Sequence, residues 1–172
     1  MSKIDYILGT SNFELVRSKI AQILLIELTN QKALNVAALA LEEAKPTPDP
    51  GLIAEYELNI SCIPDVVWEE RFIRPQPCDY PMVNVVFTNA PLNEGTSHSV
   101  QIGENKYQIE GYTDAKSKDS KNGDVLATLK LHRLLSICRN IIMDRNYVQL
   151  ELEGQNIVGY RRVEDIVIAQ PN

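Results

Sequence analysis

The sequence predicts an α+β domain with a mostly antiparallel sheet of four to five strands and two long helices packed on one face. An alternating segment at residues 107–113 leads through a charged loop into an amphipathic helix that begins near Asp124. A second apolar helix is predicted near the N-terminus, and several short strand-like segments lie between the two. With 172 residues and 44% hydrophobic composition, residues 1–172 are expected to form a single domain.

The first helix is predicted to begin at a capping box formed by Ser11 and Glu14. Further along, residues 23–26 are apolar on nearly every side of the predicted helix. We therefore expect one side to contact the sheet and the other to contact either the next segment or another subunit. Leu25 and Ile26 are interface candidates, and burial in the core is the alternative explanation of the same pattern.

The region after this helix contains three predicted elements. Residues 33–44 are rich in helix formers and predict a short second helix, separated from the first by polar residues 30–32. Three closely spaced prolines in residues 45–51 indicate a stiff spacer. From residue 54 to 62, apolar and polar residues alternate, which predicts a half-buried strand.

Two further strands are expected in the middle of the chain. Residues 66–72 predict a short element that is irregular at its end, and residues 81–87 are β-branched and predict a buried, central strand. The first of these elements combines aromatic and basic residues, which makes it a second interface candidate, with a local hydrophobic cluster as the alternative. Its candidate residues are Trp68, Arg71, Phe72 and Arg74.

A hairpin is predicted next, with a strand at residues 100–102, a turn at 103–106 and the alternating strand 107–113. The following residues, 115–123, are polar and charged and predict a mobile, solvated loop. This loop is a third candidate for docking, and a simple solvated linker is the alternative. Its candidate residues are Lys116, Lys118 and Lys121.

The second long helix is predicted to begin at Asp124 and to present one apolar stripe to the sheet. Beyond it, residues 148–153 alternate and predict a strand, a turn follows at 154–156, and residues 163–169 predict a last strand. The apolar stripe of the helix consists of Leu131, Leu134, Leu135, Cys138, Ile141 and Ile142.

Charge and composition exclude several classes of protein. The net charge is −6 and the pI is near 5.0, which argues against tight binding to nucleic-acid phosphates. An acidic surface suits a ring or channel through which DNA slides without sticking. The three cysteines form no CxxC pair, so neither a disulfide framework nor a zinc ribbon is predicted. Neither a signal peptide nor a membrane span is predicted, and we expect a cytosolic chain.

The residues that carry chemistry do not form a recognisable catalytic set. His132 and Cys138 are six positions apart on one predicted helix, which is not the spacing at which two side chains meet. His98 lies in a polar loop segment, where a solvated imidazole is the simpler interpretation. We therefore predict no enzymatic activity, although a small hydrolase with an unrecognised site stays open as an alternative.

Metal and nucleotide sites are not predicted either. The paired carboxylates at 42–43 and 69–70 are adjacent in sequence and point apart in a helix or a strand. Residues 119–124 resemble the start of a calcium loop, but Lys121 occupies a ligand position and Lys130 stands where the bidentate glutamate belongs. No glycine-rich phosphate motif occurs, so no metal and no cofactor is expected.

Taken together, the order of these elements resembles the tail-terminator and neck proteins of tailed bacteriophages. The resemblance covers most of the chain, and its motifs are hydrophobic. They are the Tyr-x-Ile-x-Gly-Tyr strand at 107–112, the helix opening at Gly123-Asp124, and the segments 13–17, 66–71 and 81–85.

This resemblance implies a structural virion protein that is assembled in the host cytoplasm. Proteins of this kind form rings, commonly hexamers, that end the tail tube and join the tail to the head. The implied partners are copies of the chain itself, tail-tube and sheath proteins, and head-completion or connector proteins, with DNA passing through the ring and no membrane involved. The alternatives are another neck or head-completion protein of the same particle, and a cytosolic module that binds a protein through a sheet edge.

Overall fold

The computed structural model describes residues 12–70, 80–89, 105–114, 120–147, 150–152 and 155–157. In these residues it contains three helices, a three-stranded mixed sheet and a separate two-stranded ribbon. The prediction of a mostly antiparallel sheet of four to five strands with two long helices is therefore wrong. The elements are α1 (Asn12–Glu43), α2 (Pro50–Cys62), β1 (Val67–Glu69), β2 (Met82–Asn89), β3 (Lys106–Tyr112), α3 (Ser120–Ile142), a 3-10 turn (Arg145–Tyr147), β4 (Leu150–Leu152) and β5 (Gln155–Ile157).

Helix α1 is one continuous helix of 32 residues, so the prediction of two helices separated at residues 30–32 is wrong. A polar residue does not break a helix when its side chain is solvated or finds a partner outside the helix. Here Asn30 is exposed to solvent, and the Lys32 side chain pairs with Asp65 at 2.6 Å. Ser11, the predicted cap, lies outside the described residues.

Helix α2 occupies the segment that was predicted as a strand. Asp49 caps it by accepting hydrogen bonds from the amides of Gly51 at 2.8 Å and Leu52 at 3.4 Å, and Pro50 occupies the first turn, where a missing amide costs nothing. Because α2 begins at Pro50, the predicted spacer 45–51 is shorter than expected, and the connection between α1 and α2 consists of residues 44–49. The alternation that indicated a strand is thus overridden by a strong helix start.

The three-stranded sheet has the order β1-β2-β3, with β1 parallel and β3 antiparallel to β2. The central position predicted for residues 81–87 is confirmed by β2, and the strand predicted at 107–113 is confirmed by β3. In the antiparallel ladder Val83 lies opposite Gly111, and Asn84 lies opposite Glu110. Successive residues of β2 therefore point alternately to the helices and to the second face of the sheet.

Helices α1 and α3 pack against the sheet and enclose the core between them. Leu24 and Leu28 of α1 and Leu134 of α3 are completely buried there. Gly111 on β3 allows α3 to come close, since a Cβ at this position would lie 3.2 Å from a methyl group of Leu135. The buried core residues are Val16, Ile20, Ala21, Ile23, Leu24, Leu28, Cys62, Ile63, Val83, Val85, Leu134, Cys138, Ile141, Ile142 and Leu150.

Helix α3 begins at Ser120, four residues before the predicted start. Residues 120–123 are therefore helical, and their prediction as the end of the loop 115–123 is wrong. Gly123 is buried in the first turns, where packing offsets its low helix propensity. The predicted apolar stripe of α3 is confirmed, because its members are buried or half-buried.

A short hairpin of β4 and β5 follows α3. The strand predicted at 148–153 is confirmed over residues 150–152, whereas residues 155 and 156 of the predicted turn belong to β5. The strands predicted at 100–102 and 163–169 lie outside the described residues. Within the described helices, none has the length and hydropathy required to cross a bilayer.

Candidate assembly surfaces

The structure separates the residues that sequence analysis weighed as a Cys-His pair. Cys138 is buried in the core, whereas His132 is exposed on α3. Burial raises the pKa of Cys138 to about 12, and it also raises the pKa of Cys62, so both thiols are neutral at physiological pH. Neither thiol has the properties of a nucleophile. His98 lies outside the described residues.

Polar side chains form one cluster on the second face of the sheet. The Glu110 carboxylate accepts hydrogen bonds from the Asn84 amide at 3.0 Å, the Tyr112 hydroxyl at 3.1 Å and the Gln108 amide at 3.3 Å. Asn84 is almost completely buried, and a buried amide requires such a partner. The cluster therefore has a structural explanation.

A cleft of about 250 Å³ lies between α1 and the end of α3. In it the Tyr147 hydroxyl donates a hydrogen bond to the Glu27 carboxylate. This bond, with a smaller contribution from burial, raises the pKa of Tyr147 to about 12. Among the described residues no group of three or more histidine, cysteine, aspartate or glutamate side chains is arranged to hold a metal ion.

A more distinctive feature is the side of α1 that faces away from the core, here called the outer α1 face. Every exposed residue of α1 between Gln22 and Leu41 is uncharged, and most are apolar. Leu34 is 62% exposed, Leu41 is 72% exposed and Ile26 is 49% exposed. The face consists of Gln22, Leu25, Ile26, Thr29, Asn30, Ala33, Leu34, Val36, Ala37, Ala40 and Leu41.

The charged residues within this length of α1, Glu27 and Lys32, are engaged elsewhere, and so is Glu42 just beyond it. Lys32 forms an ion pair with Asp65 at 2.6 Å, and Glu27 accepts the hydrogen bond from Tyr147. Glu42 is turned inward, where its carboxylate accepts hydrogen bonds from Lys45 at 2.5 Å and from the Asp49 amide at 3.1 Å. The outer α1 face is thus left without charge over about 30 Å, given a rise of 1.5 Å per residue.

A second apolar surface lies at β1, here called the β1 surface. Its members are Val66 and Trp68, and Trp68 is 39% exposed. Strand β1 is fixed to α1 by Arg17, whose guanidinium lies 3.2 Å from Glu69 and 2.7 Å from Glu70. The β1 surface is therefore presented at one edge of the described sheet in a fixed position.

A third apolar surface lies on the first turns of α3, here called the α3 surface. It comprises Val125, Leu126 and Leu129, and Val125 is 69% exposed. The β1 surface lies on one edge strand of the sheet, and α3 packs against the other edge strand, β3. The two surfaces therefore lie towards opposite ends of the strand order β1-β2-β3.

The structure places only some of the candidates that the sequence identified. Leu25 and Ile26 lie on the outer α1 face, Trp68 lies on the β1 surface, and Lys121 belongs to the first turn of α3. Five other candidates lie outside the described residues: Arg71, Phe72, Arg74, Lys116 and Lys118.

Sequence reasoning missed most of the outer α1 face and the apolar start of α3. The signal for the former was present as an uncharged stripe along residues 22–41, but it becomes visible only when α1 is treated as one helix. Val125 and Leu129 were missed because they lie outside the apolar stripe of α3. Comparison of the chain with protein-family models, curated proteins and solved structures found no match.

Proposed function

We propose that the chain is a non-enzymatic structural subunit of a tailed-phage particle, where copies of it form a ring at the tail end or neck. The ring ends the tail tube, joins tail to head and lets DNA pass through its centre. The proposal combines the resemblance of the sequence to tail-terminator and neck proteins with the apolar surfaces of the fold.

The observation that carries the proposal is the pair of exposed apolar surfaces that lie towards opposite ends of the strand order β1-β2-β3. A closed ring is built from head-to-tail contacts, in which one surface of a subunit meets a different surface of its neighbour. The β1 surface with Trp68 and the α3 surface with Val125 meet this requirement, because they are two different surfaces, one on the edge strand β1 and one on the helix that packs against β3. Contiguous exposed apolar patches mark interaction sites on protein surfaces.

The net negative charge of the chain supports a ring through which DNA passes without being bound tightly. The sequence has 17 Lys and Arg residues against 23 Asp and Glu residues. Proteins that hold DNA tightly neutralise several phosphates with clustered basic residues, and their affinity depends steeply on salt. An acidic ring would guide DNA through its centre without this attraction.

The first experiment examines particles. The gene is deleted from the phage or prophage that encodes it, and the particles are imaged by negative-stain microscopy and analysed by mass spectrometry. We expect the protein in wild-type particles, and we expect tails of irregular length and unjoined heads without it. Absence of the protein from purified wild-type particles would contradict the proposal.

The second experiment tests the ring contact. Val125→Asp places a charge in the α3 surface and should abolish rings, whereas Ser136→Asp adds the same charge at another exposed position of α3. Particles complemented with each variant are compared, with helical content measured by circular dichroism. If both variants complement equally well, the α3 surface is not a subunit contact.

A further inference from the structure

The outer α1 face has a heptad spacing that neither the ring contact nor the core explains. Its central residues recur at alternating intervals of three and four, which is the spacing of the a and d positions of a coiled coil. The same series is bounded by a basic residue at its N-terminal end and an acidic residue at its C-terminal end. In order, the positions are Lys19, Gln22, Ile26, Thr29, Ala33, Val36, Ala40 and Glu43.

We propose that α1 pairs antiparallel with α1 of a second copy of the chain through this series. Both copies use the same surface, so the pair has two-fold symmetry and is distinct from the head-to-tail ring contact. It joins two subunits whether or not a ring is present, and it therefore goes beyond the proposed function.

Charge selects the antiparallel direction. In an antiparallel pair centred between Thr29 and Ala33, Lys19 of each copy lies opposite Glu43 of the other, which gives two favourable contacts at the ends of the interface. A parallel pair would place Lys19 beside Lys19 and Glu43 beside Glu43. Among the described residues, neither Lys19 nor Glu43 forms an ion pair within its own chain.

The same register also matches the sizes of the side chains. It places Ile26 opposite Val36 and Thr29 opposite Ala33. Towards each end, the long side chain at position 22 lies opposite the small alanine at position 40 of the second copy, where its amide can reach the solvated edge.

Small residues let two helices approach to about 8 Å between their axes, and the series from 19 to 43 extends over about 36 Å. The exposed Leu25 lies beside the central residues and would cover an edge of the interface, whereas Leu34 and Leu41 each follow a central alanine by one residue and lie about 100° round the helix, outside the pair. The pair would therefore remove the central apolar residues and Leu25 from water.

Another copy of the chain fits this face better than a lipid surface does. Helices that lie on membranes carry lysine and arginine along the polar face beside their apolar residues. Between Gln22 and Leu41, α1 has a single basic residue, Lys32, and it is paired with Asp65. Instead, the basic Lys19 at one end of the series and the acidic Glu43 at the other end are complementary to the same residues of a second copy.

Charge reversal tests the direction of the pair. Lys19→Glu or Glu43→Lys should weaken self-association of the full chain about tenfold, because each reversal replaces two attractive contacts by two repulsive ones. The double variant restores opposite charges and should regain wild-type association. Arg139→Glu and Glu57→Lys make the same changes in net charge at exposed positions outside α1 and should have no effect.

Association is measured by sedimentation equilibrium at low ionic strength, where surface charges act most strongly. Loss of association in both single variants without recovery in the double variant would contradict the antiparallel register. Association that none of the variants changes would contradict the pair itself.

Cross-linking tests the register directly. Gln22→Cys and Ala40→Cys are prepared separately in a Cys78→Ser background and are then mixed under oxidising conditions. We expect a disulfide between the two variants and none within either alone, since the antiparallel register brings only positions 22 and 40 together. Disulfides within each variant alone would indicate a parallel pair, and absence of cross-links in all samples would contradict pairing.

The experiments distinguish failure of the α1 pair from failure of the proposed function. If Val125→Asp abolishes particle assembly while charge reversal at 19 and 43 leaves association unchanged, the ring stands and the α1 pair is wrong. If the reversals act as expected and the protein is absent from particles, the α1 pair stands and the proposed function is wrong.

Discussion

The inner and outer sides of α1 both carry apolar side chains, yet they have opposite environments. Leu24 and Leu28 on the inner side are fully buried against the sheet and α3, whereas Ile26, two residues from each, is half exposed. Hydrophobicity alone therefore does not distinguish core from surface on this helix. The difference arises from which side the sheet covers.

This comparison indicates how the chain divides its apolar residues between folding and contact with other molecules. The inner side stabilises the domain, because burying its leucines removes apolar area from water. The outer side contributes little to the fold of a single chain, and its apolar residues are therefore free to contribute to association. Mutations on the two sides should separate these roles.

The largest effect is expected for Leu24→Ala, which leaves a cavity in the core and should lower the free energy of unfolding by about 3 kcal/mol. Leu41→Ala on the outer side removes the same atoms from an exposed position and should change it by less than about 0.5 kcal/mol. Denaturant unfolding at matched protein concentration measures both. Equal losses would show that the outer side is also part of the core.

A smaller loss is expected for Gly111→Val on β3. The added methyl groups would collide with the leucines of α3, because the position that a Cβ would occupy lies 3.2 Å from Leu135 and 3.4 Å from Leu131. We expect a loss of about 2 kcal/mol in the free energy of unfolding and a lower melting temperature. Gly111→Ala should cost less, because flexible leucine side chains can move away from one methyl group. An equal cost for alanine and valine would contradict close packing of α3 on β3.

The cap of α2 should contribute about 1 kcal/mol. Asp49→Ala removes the acceptor for the amides of Gly51 and Leu52, and α2 packs against α1. Asp49→Asn keeps a side-chain acceptor and serves as the control. Circular dichroism during thermal unfolding measures the difference, and equal melting temperatures for wild type and Asp49→Ala would contradict the capping role.

The smallest effect depends on pH. The hydrogen bonds from Lys45 and from the Asp49 amide hold the pKa of Glu42 below its usual value. Glu42 therefore contributes stability above the ordinary glutamate pKa of about 4.3, and this contribution is lost as the pH falls through the lower folded-state pKa. Glu42→Gln should differ most from wild type at neutral pH, with the difference shrinking in acid. A difference in stability that is independent of pH would contradict this role.

Local patterns were sufficient to predict some elements, and the reasons are physical. Strand β2 was predicted because its β-branched residues suit a central strand, and the apolar stripe of α3 was predicted because one side of a helix must face the sheet. Both signals lie within a single element and depend on no other part of the chain.

The elements that were predicted wrongly depended on competition between signals. At α2, the alternation of residues 54–62 indicated a strand, but the Asp49 and Pro50 start determined the result. At α1, polar residues 30–32 indicated a break, but Asn30 is solvated and Lys32 pairs with Asp65 outside the helix, so the helix continues. The outer α1 face can be recognised only when α1 is treated as one continuous helix.

The most direct test of a contact between copies at the outer α1 face is the mass of the full-length chain. Native mass spectrometry or mass photometry is applied to wild type and to Ile26→Glu across a range of protein concentrations. We predict that the wild type associates and that Ile26→Glu shifts it toward the monomer with unchanged helical content. A wild-type chain that stays monomeric at every concentration, or an Ile26→Glu variant that associates equally well, would contradict the account.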